Sequence, residues 1–142
     1  MDYSFFYGYT KFHMSNQRPK ILTEAGYEIY CDTKKLRELD VPIVDFKVED
    51  LVWNFDLPLW DKDGTDDWNL TPREVISKIT GSTTHQNRVT QADLQYPILL
   101  TEKNGKWLII DGVHRLVKAF EASHTTIKAK IFTTEMIEQS QT

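Results

Sequence analysis

Cysteine is almost missing from this chain. Cys31 stands alone, so no disulfide can close within the sequence and packing has to hold the fold; a reducing cytoplasm suits such usage. Long apolar runs are missing too, since nothing approaches the ~20 residues of a membrane-spanning helix. The first residues show no basic stretch leading into an apolar one and a small-residue cleavage site, so a cytoplasmic location is expected. Positive charge is in short supply: 17 Lys and Arg face 21 Asp and Glu, for a net charge of −4. That argues against a general nucleic-acid binder, although a local basic patch stays open. Internal repeats, low-complexity stretches and a phosphate-binding P-loop are also absent.

What remains is 142 residues, 40% hydrophobic and 27% charged, the composition of a single globular domain. A compact chain of this length buries about 70% of its unfolded surface, enough for a real core. The domain is expected over 21–134, after an N-terminal arm or loosely packed segment over 1–20 and before a short frayed tail over 135–142. Phe5, Phe6, Tyr7 and Tyr9 lie in the arm. They suit either packing on the domain or, given a basic groove, stacking on bases.

The rest of the chain alternates strand and helix signals. Tyr27–Tyr30 alternates weakly and suits a strand, and Asp32 or Thr33 can cap a short helix carrying Leu36 and Leu39. Val41–Phe46 is the next strand, and Trp53, Phe55, Leu57 and Trp60 form a hydrophobic clasp, with a substrate-facing aromatic as the alternative. Leu70–Ile79 carries helix punctuation: Thr71 as N-cap, Pro72 at the first helical position, Glu74 completing a capping box, and Gly81 as the stop. Pro97–Thr101 and Trp107–Ile110 flank Asn104-Gly105, a strong hairpin signal. Thr126–Thr133 alternates, with Ile127, Ala129 and Ile131 inward and Lys128 and Lys130 outward, as in a half-exposed strand.

Chemistry concentrates in Trp107–Ser123. An apolar strand runs to Ile110, Asp111-Gly112 breaks it, and Val113, Leu116, Val117 and Phe120 then mark one face of a helix. His114 and Arg115 fall in the first helical turn, beside the free N–H groups and the positive end of the helix dipole. A glycine before them lets an anion approach the backbone closely. The competing reading has Arg115 paired with a carboxylate and His114 solvated. Ser82–Gln91 reads as a polar surface loop whose strong phosphate or acid–base candidates are His85 and Arg88, against plain solvation of both. Thr90 is expected to cap a single turn containing Asp93 and Leu94. The acidic stretch Asp61–Asp67 invites a calcium reading, but its glycine comes at the fourth position and no Glu follows at the twelfth, so a solvated turn fits better.

Asp111-Gly112-Val113-His114-Arg115, between an apolar strand and a helix, resembles the Gly-x-His-Arg box of the ParB/sulfiredoxin superfamily. His85, Arg88, Ala92-Asp93-Leu94 and Tyr96-Pro97-Ile98 resemble the segment before that box, and Val44–Pro58, with Leu51 and Asn54, does so more weakly. The order of the elements gives an α+β domain, a small mixed sheet with flanking helices, and the resemblance implies the more specific ParB/sulfiredoxin-like fold. It implies ATP or another nucleotide with its phosphates over Gly112, Val113, His114 and Arg115, and His85 and Arg88 nearby. Sulfiredoxins use a cysteine where this chain has Val113, so their chemistry is not expected at this position. Chromosome-partitioning ParB proteins carry further DNA-binding and dimerisation domains for which this chain has no room.

The free-serine kinases of the superfamily share the Asp-Gly-x-His-Arg box. Their likeness implies Asp111 and His114 beside the transferred phosphate, Asp111 helping to hold Mg²⁺, and an upstream acid as base: Asp56, with Glu49 as runner-up. The expected function is therefore nucleotide binding, with phosphoryl transfer to a small-molecule acceptor or nucleotide hydrolysis as its activity. The alternatives are a nucleic-acid-associated module (DNA binding or nuclease), which is not favoured, and a non-catalytic binding domain.

Overall fold

The computed structural model describes residues 18–65, 67–78 and 82–141. The aromatic arm over Phe5–Tyr9, the Ile79 end of the helix stripe and Gly81 lie outside them. Among the described residues ten helices and strands follow one another in order: α1 (Lys20–Ala25), α2 (Thr33–Glu38), β1 (Val44–Lys47), α3 (Pro72–Ile76), α4 (Thr83–Gln91), β2 (Ile98–Lys103), β3 (Lys106–Asp111), α5 (Val113–Glu121), β4 (Thr126–Ile131) and α6 (Thr134–Gln139). Two short 3₁₀ turns, Val48–Asp50 and Val52–Asp56, follow β1. The described strands form one sheet in the order β1-β4-β2-β3, antiparallel at both edges and parallel between β2 and β4. This is the α+β class with a small mixed sheet and flanking helices. No helix among the described residues is long and apolar enough to cross a membrane.

The central hairpin forms where the sequence puts it. Asn104 and Gly105 have φ of 52° and 78°, the paired positive values of a type I′ turn, whose twist matches that of the flanking strands. Glu102 then faces Trp107 and Thr101 faces Leu108. The register shifts between Leu99 and Leu100, where Leu99 pairs with Asp111 and Leu100 with Ile109. That bulge inserts Ile110 and bends β3 as it reaches Asp111. Gly112 then reverses the chain with φ of 112° and α5 begins. Val113, Leu116, Val117 and Ala119 bury one face of α5, and Phe120 meets Phe55 edge-on at 5.4 Å.

Several elements depart from expectation. Tyr27–Tyr30 makes no strand. Its alternation is real, with Tyr27 and Ile29 buried and Glu28 and Tyr30 exposed, but the segment runs extended and unladdered. The Tyr27 hydroxyl explains why: it donates to Asn54 Oδ1 (2.7 Å) and accepts from the Ile109 amide (2.9 Å). Asn54 in turn donates to the Leu51 and Trp107 carbonyls, so this asparagine braces the core under β3. The capping box on α3 is complete, with Thr71 and Glu74 exchanging their bonds.

The segment expected as a polar loop, Ser82–Gln91, is instead the helix α4, and Thr90 lies inside it rather than opening a new turn. Ser82 caps it by accepting from the His85 amide. Its buried face is His85 and Val89, an i, i+4 pair in which a histidine holds the place of an apolar residue. Residues 135–142 were expected to fray, yet Thr133 caps α6, Ile137 is buried, and Gln141 bonds the Tyr30 carbonyl.

Candidate functional site

An open cavity of about 630 Å³ lies where the N-terminal turns of α4 and α5 meet the loop after Trp60. That volume falls in the range of small-molecule sites. His85, Arg88, Asp111, Gly112, Val113, His114 and Arg115 all line it. Topology alone brings them together, because β3 delivers Asp111 to the start of α5 while α4 lies against α5. Lys118 fastens the two helices, its ammonium donating to the Thr90 and Ala92 carbonyls at 2.9 and 2.7 Å. Leu70 closes the loop over the cavity by pairing with Trp60, and within it the Asp61 carboxylate accepts from the Trp68 amide. The Asp63 carboxylate accepts from the Ser82 hydroxyl and the Thr83 amide at the head of α4. Those bonds, the one from Ser82 first, hold its carboxyl below the ordinary aspartate range. The acidic stretch thus serves as caps and loop clasps.

Gly112 has a reason different from the one the sequence suggests. A Cβ there would lie 2.5 Å from Ile98 Cγ2 and 2.9 Å from Ile98 Cβ. Close packing against β2, together with the positive φ, demands the glycine. Gly112 supplies no side-chain cap, so the first-turn amides of α5 keep the unpaired donors of a helix start.

One wall of the cavity is ionic. Asp111 is nearly buried, and its Oδ2 accepts from Arg37 at 3.2 Å and from Arg115 at 3.3 Å. The other Arg115 nitrogen donates to the Pro97 carbonyl (2.7 Å) and reaches the Tyr96 carbonyl (3.3 Å). The expected free phosphate fork at Arg115 is therefore largely committed to protein acceptors. A second cavity of about 440 Å³, lined by Ile43, Tyr96, Pro97 and Leu99, lies across Arg37 and Arg115. The carboxylate expected to help hold Mg²⁺ thus carries both guanidinium bonds on one oxygen, Oδ2. Two guanidinium groups already occupy the carboxylate's surroundings, and no group of three metal-ligating side chains exists among the described residues.

The opposite wall is aromatic. His85 and His114 lie side by side, interplanar 9°, with both rings stacked at 4.5 Å on Trp60. His85 Nδ1 sits 2.9 Å from His114 Nε2, and His85 Nε2 sits 3.1 Å from the Asp61 carbonyl oxygen. Burial lowers both histidines, with Arg88 adding to it; for His114, burial, His85, Arg88 and Arg115 together bring the value to about 3. Both are therefore neutral at physiological pH. Arg88 is exposed and has no hydrogen-bond or ion-pair partner among the described residues.

The two expected base residues are not in this space. Asp56 pairs with Arg73 at 3.2 Å on the surface, its side chain 67% exposed. Glu49 is exposed as well, and neither lines the cavity. Both sit in the 3₁₀ turns that follow β1, outside the residues that line the cavity beside α5. Cys31 is buried, and burial first, then Asp111 and Asp32, push its thiol up to about 12, far from a reactive thiolate. Sequence reasoning missed Arg37, which is 74 positions from its carboxylate and carries no local signal. It held Trp60 to be part of a hydrophobic clasp, with a substrate-facing aromatic as the alternative, and Trp60 lines the cavity.

No protein-family model matches the sequence, and no curated protein matches it. Among solved structures the chain is similar to the crystal structure of sulfiredoxin from Arabidopsis thaliana, at 21% identity over 71% of this chain and 98% of that one, with a TM-score of 0.35. At that identity and TM-score no residue role passes from one chain to the other.

Proposed function

We propose that this chain is a ParB/sulfiredoxin-like domain that binds a nucleotide in the cavity beside α5, phosphates toward the first helical turn. The Asp111–Arg115 box suggests it, and one observation carries it: the uncapped turn Val113–Arg115 opens on a cavity that is also lined by Arg88, unpartnered among the described residues. Free amides and the positive helix end favour an anion, and a free guanidinium adds a bidentate contact. Arg115 then works mainly through position, by keeping Asp111 and the turn before β2 in place.

The small-molecule kinase with Asp56 or Glu49 as base is not part of this proposal. Nor is a nucleic-acid surface: Arg37 and Arg115 turn toward Asp111, and Lys118 and Lys130 donate to backbone carbonyls. Those cations make no continuous outward basic face of the kind phosphate tracking needs. A thermal-shift panel of ATP, ADP, CTP and GTP, each with and without Mg²⁺, tests the proposal. A ligand at one hundred times its Kd adds about 2.7 kcal/mol to stability. Silence from every nucleotide, with the protein folded, overturns it.

A further inference from the structure

The two cavity histidines fix each other's protons. His85 Nε2 lies 3.1 Å from the Asp61 carbonyl oxygen. A carbonyl can only accept, so the proton of neutral His85 sits on Nε2 and its Nδ1 is a bare acceptor. That Nδ1 faces His114 Nε2 at 2.9 Å, so His114 donates from Nε2 and its own Nδ1 carries a lone pair. Stacking on Trp60 resists rotation of either ring. His114 Nδ1 has no partner among the described residues.

The surroundings favour this neutral state. Arg88 on α4 and Arg115 on α5 oppose protonation, while Asp61 and Asp63 on the loop oppose them weakly at His85. A lone pair repels a phosphate oxygen and welcomes an O–H. His114 is therefore unsuited to hold phosphate and suited to hold what attacks it.

Resting on the nucleotide reading above, we propose that the His85–His114 pair orients a water molecule for attack on the terminal phosphorus of a nucleoside triphosphate. His114 Nδ1 accepts the water's hydrogen bond, and His85 is the positioning residue that holds the tautomer. A weak base suits this task, because phosphoryl transfer through a loose transition state depends mostly on placement. The water oxygen bonds to phosphorus, and the bond to the leaving diphosphate oxygen breaks, its electron pair leaving with that oxygen. The water proton passes late to His114 Nδ1, and the His114 Nε2 proton moves to His85 Nδ1. The charge rests on His85, whose Nε2–H stays on the Asp61 carbonyl and whose ring lies against the Trp60 face. The shared proton then returns to His114 Nε2 as His114 Nδ1 releases its proton to solvent, which restores the pair, and the products are nucleoside diphosphate and inorganic phosphate. The base role expected of Asp56 falls to His114.

Ring ¹⁵N spectra of the full chain, recorded from pH 8 to 4, test the pair directly, and phosphate release from ATP with and without Mg²⁺ tests the reaction. The expected spectrum has both rings neutral at pH 7 and protonated at Nε2. Phosphate release stays level through neutrality and falls in acid as the pair protonates. His85→Phe keeps the stacking but loses the acceptor. Its His114 populates both tautomers and protonates at higher pH, and its acid limb moves up with a rate roughly tenfold to a hundredfold lower. His85→Gln, able to accept from His114 and donate to Asp61, recovers most of the rate. Calorimetry reports ATP binding separately. A wild-type His114 protonated at Nδ1 overturns the pair. ATP that binds without releasing phosphate overturns the reaction and leaves the binding site standing. A folded protein that binds no ATP removes the ligand and the reaction together.

Discussion

His114 and Arg115 are neighbours in one helical turn, yet they belong to opposite walls of the cavity. Arg115 is the charged residue, and its charge is spent on Asp111 and two carbonyls. His114 is uncharged, and it keeps an open valence. The difference separates charge that is present from charge that is available. A half-buried guanidinium needs its acceptors so much that it becomes a brace. A neutral imidazole whose partner chain ends on a carbonyl stays free at its other nitrogen. The ionic wall holds the shape, and the aromatic wall meets the ligand.

Both walls hang from Gly112, so the largest expected effect is there. Gly112→Ala places a Cβ against Ile98 in a left-handed backbone. Strain and overpacking together cost about 3 kcal/mol, a fall in Tm on the order of 10 °C for a chain of this size. Urea denaturation checks it. A variant as stable as the wild type would mean that β2 and α5 are not packed at this corner.

The walls come apart in the next pair of variants. Arg115→Ala strips the Pro97 and Tyr96 carbonyls of their donor and takes one guanidinium from Asp111, at a cost of about 2 kcal/mol in stability. Arg88→Ala removes no hydrogen bond or ion pair among the described residues, so stability should hold while nucleotide affinity falls by roughly tenfold or more. Denaturation and titration on the same two variants decide it. Loss of affinity without loss of stability in Arg115→Ala would return the phosphate fork to Arg115.

Acid separates them further. His114 falls from 6.5 in the unfolded chain to about 3 in the folded one, and His85 shifts in the same direction. Between those values the unfolded state binds more protons, so stability rises with pH there. The contribution is fully present above about 6.5 and is lost as pH falls toward 3. Melting scans from pH 8 to 4 should show the decline, and His114→Gln should flatten part of it. An equal slope in the variant would remove His114 from the account.

The contrast also marks what the sequence could disclose. The Asn104-Gly105 hairpin, the Thr71 capping box and the α5 stripe are local patterns, and they form where their residues stand. The α4 helix was hidden because His85 fills an apolar position, so no hydrophobic period survived. The box Asp111–Arg115 pointed to the cavity, but which of its groups are occupied depends on Arg37, Pro97 and Asp61, residues that only the fold brings near. Spacing names candidates, and distant acceptors decide which stay free.

The smallest effect is expected at Asp56, and it bears on the largest question. Its carboxylate meets Arg73 on the surface, where the side chains are 67% and 40% exposed. Water screens such a pair, and pairs of this kind contribute about 0–1 kcal/mol. Asp56→Asn keeps the side-chain volume and removes the charge, so Tm should stay close to that of the wild type. Nucleotide affinity should not change, because the residue does not line the cavity. Phosphate release from ATP should not change either if the attacking water is held by His114. A general base that is removed costs a hundredfold or more, a gap no surface ion pair can imitate. A collapse of turnover in Asp56→Asn, with melting and affinity intact, would give the chemistry to the carboxylate and leave the histidines as a wall.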